Sequence, residues 1–127
     1  MKFIFIAAGG IAGALLRYAV SGLTYRIFEG VFPWGTLSVN LIGSFFIGFL
    51  GGVFERFTVE PNLKIFILIG FLGAFTTFST FSFETFNLFR DGEVKLAMSN
   101  ILISNFFGIA LVFLGFIVSR FIFNSFK

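Results

Sequence analysis

The sequence predicts an all-α membrane protein with four transmembrane helices, the third of them broken, and three observations carry that prediction. The 127 residues are 57% apolar and only 12% charged, with 24 phenylalanines and a mean hydropathy of +1.03, whereas soluble domains carry about 25% charged residues. Four windows, 3–25, 30–54, 65–89 and 96–119, hold almost no charge, and each matches the roughly 20 apolar residues that cross a hydrocarbon core. Within the third window lies TTFSTFS (76–82), with five hydroxyls in seven residues. The chain is one domain long, and a single four-helix transmembrane domain over 1–127 is expected, with helices at about 3–27, 33–55, 62–90 and 94–124.

The first window follows Met1-Lys2, as the apolar run of a secretory signal would. It is longer than such a run, continues past Arg17 to Tyr25 and is followed by further spans, so it is expected to be retained as the first helix. Arg17 lies fifteen residues beyond Lys2, about 22 Å at 1.5 Å per residue. Its long side chain can snorkel to the far interface, or it can supply positive charge to an anion vestibule.

In the second helix, Pro33 suits the first turn, where its missing N–H is not needed. Thr36, Asn40 and Ser44 recur every four residues and give this helix a polar stripe. An amide in hydrocarbon needs partners across an interface, so Asn40 reads either as an interhelical hydrogen bond or as a pore-lining group. Gly9 with Gly13, and Gly48 with Gly52, have the spacing at which small residues let helix backbones touch.

Before the third helix, Pro61-Asn62 reads as a turn, and after it Arg90-Asp91-Gly92 reads as a charged stop with Gly92 as a left-handed cap. Between them, Gly73, Thr76 and Thr77 are poor helix formers. The hydroxyls can bond back to their own helix, but their density predicts a real interruption, which would expose backbone carbonyls to a cation. Phe75, Phe78 and Phe81 recur at intervals of three within the hydroxyl run. Aromatic rings carry a positive edge, which can stabilise a dehydrated anion. Glu84 follows, either as a helix-end residue reaching interfacial water or as part of a polar track with Ser79, Thr80 and Ser82.

Composition excludes several function classes. There is no cysteine, hence no disulfide or thiolate metal site, and no histidine to serve as general base or transition-metal ligand. The net charge of +3 flanks the spans rather than forming a nucleic-acid patch. With four spans, Lys2, Arg56, Lys64, Arg120 and Lys127 fall on one side of the membrane and Arg26, Arg90 and Lys95 on the other. That bias is weak; it permits insertion in both orientations and also fits one orientation held by a small excess.

Three segments, GGIAGALLRY (9–18), PWGTLSVNLIGSFFIG (33–48) and GFLGAFTTFSTFSFE (70–84), together resemble the Fluc/CrcB family of small fluoride channels over essentially the whole chain. The resemblance implies passive, fluoride-selective export across a bacterial inner (plasma) membrane by an antiparallel, dual-topology homodimer with two pores. It implies a structural sodium ion at the dimer centre, held by the backbone carbonyls of Gly73 and Thr76 from each subunit. Phe78 and Phe81 would present ring edges to fluoride, and Asn40 would bond the ion or orient those rings. Ser79, Thr80, Ser82 and Glu84 would form the polar track, with Arg17 near the vestibule. The fourth helix departs from the family pattern: Gly108 and Val112 stand where hydroxyls are common, while Ser104 and Asn105 are polar instead. Two other readings of the same residues are a small dual-topology multidrug or cation antiporter, for which Glu84 is the candidate acid, and a glycine-packed subunit of a larger membrane assembly.

Overall fold

The computed structural model describes residues 1–124; Lys127, counted above in the charge balance, lies outside them. The described residues fold as α1 (Lys2–Ile27), α2 (Trp34–Arg56), α3 (61–75), α4 (Phe78–Arg90) and α5 (Val94–Asn124). α3 is a composite. It opens with an α-helical turn, Pro61–Lys64, is wound as a π-helix over Ile65–Leu72, and closes with the turn Gly73–Phe75. Among the described residues, four segments are long and apolar enough to cross a membrane: Lys2–Ile27, Trp34–Arg56, Pro61–Arg90 and Val94–Asn124.

Local causes account for the ends. The third span begins at Pro61, one residue before the expected start at 62. The Glu60 carboxylate accepts from the Leu63 amide at 3.0 Å, and proline occupies the first turn, so the Pro61-Asn62 pair belongs to the helix itself. Pro33 stands one position earlier than expected, as the residue preceding α2. Gly92 has φ +82, a left-handed conformation that disfavours side chains, and its amide donates to the Phe89 carbonyl at 3.1 Å to close α4.

The helices associate in two tight pairs, α1 with α3 and α2 with α5. Both are made by backbone contact. A Cβ on Gly9 would lie 2.9 Å from the Phe71 nitrogen, and one on Gly48 would lie 2.7 Å from the Val112 carbonyl carbon. No hydrophobic effect drives helices together in lipid, so van der Waals contact between bare backbones supplies the attraction. The expected small-residue pairs are therefore the contact surfaces of both helix pairs.

Few side chains are buried. Leu37, Val39, Leu72, Phe75, Leu88 and Ala97 form a thin core, while Phe3, Tyr18, Phe106 and Phe113 are largely exposed. Such a surface fits a bilayer, where apolar side chains meet acyl chains instead of water.

Candidate functional site

The third span is interrupted in mid-course. α3 stops at Phe75, Thr76 and Thr77 are extended (φ −88, ψ 157 and φ −149, ψ 119), and α4 starts at Phe78. Threonine supplies both halves of this punctuation. Thr76 folds its hydroxyl back to the Leu72 carbonyl at 3.0 Å. Thr77 caps α4, its Oγ1 accepting from the Thr80 amide at 3.2 Å and donating to Thr80 Oγ1 at 3.1 Å.

Asn40 holds the interruption open. Its Nδ2 donates to the Thr77 carbonyl at 3.0 Å, and its Oδ1 accepts from the Thr77 amide at 2.7 Å. One amide side chain thus replaces both backbone partners that an unbroken helix would give Thr77, as non-helical backbone at membrane depth requires. One of the two Asn40 N–H donors stays uncommitted, beside a groove of about 350 Å³ lined by Gly43, Ser44, Gly73, Thr76 and Phe78.

The interruption also strips two carbonyls of their helical donors. The Thr77 amide, which would serve Gly73 in a continuous helix, is taken by Asn40. The Thr80 amide, which would serve Thr76, is taken by the Thr77 hydroxyl. Gly73 and Thr76 therefore present main-chain oxygens of the kind that suit a hard cation. Among the described residues no group of three His, Cys, Asp or Glu side chains is placed to hold a metal.

The two aromatic rings lie side by side with centroids 5.7 Å apart. Phe78 is 78% exposed, and Phe81 is half-buried.

The hydroxyl run does not form one line. On a helix starting at Phe78, Ser79 and Ser82 share one face, and Thr80 and Glu84 share another. Ser79 and Ser82 are exposed beside Phe78. Thr80 is exposed as well, and it lines an open cavity of about 290 Å³ with Arg17, Ser21, Thr36 and Thr77. Arg17 is half-buried and, among the described residues, makes no ion pair. Its charge is therefore available to attract an anion into that cavity. Glu84 sits further along the same face and accepts hydroxyl hydrogen bonds from two helices, from Tyr25 at 2.7 Å and from Thr36. The carboxylate thus ties α4 to α1 and α2, and its side-chain hydrogen bonds go to Tyr25 and Thr36 rather than to Ser79, Thr80 or Ser82.

A second polar cluster joins α4 to α5. Asn100, 1% exposed, donates to Thr85 Oγ1 at 2.9 Å and accepts from Ser104 at 3.2 Å, and Thr85 in turn donates to the Phe81 carbonyl at 2.8 Å. Ser104 stood out in the sequence, but Asn100 did not. The available signal was an amide four residues before that serine, hence on its face of the helix. Asn105 is spent locally, donating to the Ile101 carbonyl at 2.7 Å.

These features define a multi-pass membrane protein with an interrupted third span, in which polar groups converge on the interruption from the helices around it. Residues 4–116 match the family described as CrcB-like protein, Camphor Resistance (CrcB), and the chain belongs to that family. It is similar to the fluoride-specific ion channel FluC of Maridesulfovibrio salexigens, 47% identical over 122 residues, covering 95% of this chain and 97% of that one. The FluC of Magnetococcus marinus is 47% identical over 123 residues, 96% of this chain and 100% of its own length. That of Parabacteroides distasonis is 42% identical over 127 residues, 100% and 99% of the two chains.

Proposed function

We propose that this protein is a fluoride-selective channel that lets fluoride leave the cell passively, working as an antiparallel, dual-topology homodimer with two pores in a bacterial inner membrane. It is a transport protein and not an enzyme. The observation that carries this reading is the Asn40 clamp on an unwound Thr76-Thr77 link, with paired phenylalanines directly after it, in a chain whose full-length relatives are named fluoride-specific channels.

Fluoride holds its water tightly, so a pore must offer substitutes for that shell. In this reading Arg17 draws the anion into the cavity it lines, where Thr80 waits with a hydroxyl. The spare Asn40 N–H and the ring edges of Phe78 and Phe81 stand in for water further along, followed by Ser79 and Ser82 on the outer face. Glu84 borders the route and fixes its wall through Tyr25 and Thr36. A sodium ion, bound by the Gly73 and Thr76 carbonyls of each subunit, would supply fixed positive charge at the dimer centre; the loss of helical donors at both carbonyls favours it.

The homodimer is supported by the exposure of Phe78, Ser79 and Ser82 in the middle of a span. Hydroxyls facing acyl chains are unfavourable, and a second copy packed on this face would cover them and complete the pathway. The weak loop-charge bias agrees with insertion in both orientations. The antiporter reading is not favoured, because the full-length relatives are named as channels.

Purified protein reconstituted into liposomes loaded with fluoride or chloride tests the reading. A fluoride electrode should register rapid efflux, while chloride stays inside; chloride leaving at a comparable rate would overturn it.

A further inference from the structure

The interruption frees α4 from α3. A continuous helix fixes the rotation of every residue along it, but two extended residues pass on no such constraint. Something else must decide which way Phe78 and Phe81 point. Leu88 is the one apolar side chain of α4 that is fully buried, so apolar packing offers few anchor points.

What remains is hydrogen bonding, and one chain of bonds ends on a ring-bearing residue. Ser104 donates to Asn100 Oδ1, Asn100 Nδ2 donates to Thr85 Oγ1, and Thr85 donates to the carbonyl of Phe81. The bonds have a fixed direction. Each hydroxyl has a single proton, already committed, and the amide has a donor pole and an acceptor pole that are not interchangeable. Asn100 and Ser104 are four residues apart on α5 and so share a face. Asn100 is 1% exposed, which leaves it no water to turn to if α4 rotates away.

We infer that Asn100 is a positioning residue for the anion pathway: acting through Thr85 on the α5 side, as Tyr25 and Thr36 act through Glu84 on the other, it fixes the rotation of α4 and hence where the Phe81 ring lies. It touches no ion itself. The inference rests on the fluoride-channel reading for its functional consequence, while its structural content can be measured without any ion flux.

The test uses full-length protein in liposomes with two readouts, fluoride efflux and the fluorine NMR signal of para-fluorophenylalanine incorporated at position 81. Thr85→Val keeps the side-chain shape and removes the hydroxyl, whereas Thr85→Ser keeps the hydroxyl. Asn100→Leu removes both poles of the amide. Thr85→Val and Asn100→Leu should each slow efflux about tenfold, near the upper end of what one interhelical hydrogen bond contributes, and both should shift or broaden the ring signal. Thr85→Ser should behave as wild type, and combining Thr85→Val with Asn100→Leu should be no worse than either alone.

A Thr85→Val protein with wild-type efflux and an unmoved signal would overturn the inference. So would a Thr85→Ser protein as impaired as Thr85→Val, because packing and not the bond would then matter. If Asn100→Leu does not insert, the two Thr85 variants decide the matter by themselves. If wild-type protein carries no fluoride, the channel reading fails, but the signal at position 81 still supports or rejects the positioning role.

Discussion

The two halves of the third span are held by opposite means. α3 is located by contact of bare backbone, where Gly9 and Gly13 of α1 lie against the main chain at Phe66, Gly70 and Phe71. α4 is located by side-chain hydrogen bonds from three other helices, through Tyr25, Thr36 and Asn100, and its link to α3 is held by Asn40. Backbone contact tolerates no added atom but is indifferent to chemistry. Hydrogen bonds tolerate changes of size but not loss of a donor or acceptor. The half that carries the candidate site is therefore the half whose placement depends on polar chemistry.

The most damaging way to break this contrast is on the α3 side. Gly9→Val drives a branched side chain into the main chain of α3, which cannot yield as a side chain would. It should cost ~3 kcal/mol or more, seen as loss of monodisperse protein on size-exclusion chromatography in detergent. A well-behaved Gly9→Val protein would show that the α1–α3 contact is looser than described.

On the α4 side, Asn40→Leu keeps the bulk and leaves the Thr77 amide and carbonyl without partners. Stranding buried polar groups in this way costs about 2 kcal/mol, measurable as a lower midpoint of thermal unfolding. In liposomes the same variant should lose most of its fluoride efflux, because the break and the spare N–H both depend on that amide. Retained efflux would remove Asn40 from the pathway.

Phe78→Ile separates function from stability. The ring is 78% exposed, so stability of the chain should change by less than about 0.5 kcal/mol, while fluoride efflux falls if ring edges face the ion. Phe81→Ile should also slow efflux, with some loss of stability because that ring is half-buried. Unchanged efflux in both variants would leave the two rings as packing groups.

The smallest effect sharpens the comparison within one helix. A Cβ on Gly51 would meet nothing within 4 Å, whereas one on Gly48 would strike Val112. Gly51→Ala should leave the unfolding midpoint unchanged or raise it, since alanine is favoured over glycine in a helix by up to about 1 kcal/mol. Gly48→Ala should lower it. Equal responses would mean that the two glycines meet the same surroundings.

Much of this architecture is legible in the residues themselves. Hydropathy marks the spans, glycine spacing marks the helix contacts, and the hydroxyl run marks the interruption, because each is a local property of the chain. What escaped the sequence is which face each residue takes after the break. Ser79, Thr80, Ser82 and Glu84 look like one polar track when read in order, yet Glu84 bonds to α1 and α2 and the exposed Thr80 borders the cavity beside them, while Ser79 and Ser82 lie on the other side, beside Phe78. That division follows from where α4 starts, and its start is set by the Thr77 cap. The partners of Glu84 and Asn100 were equally hidden: Tyr25 and Thr85 are ordinary residues until the fold brings them near, and the polar stripe that holds Thr36 does not say that it meets Glu84. The π winding of Ile65–Leu72 has no signature that we can identify in the residues.

The interruption at Thr76-Thr77 has an electrical consequence. Aligned peptide dipoles give a helix about half a negative charge at its last carbonyls and half a positive charge at its first amides. Stopping one helix and starting the next within two residues sets these unlike poles at nearly the same depth in the bilayer, where little else screens them. An anion passing the amide pole would then meet a fixed positive potential. The junction behaves as a small built-in capacitor, and its strength depends on the gap never healing into a single helix.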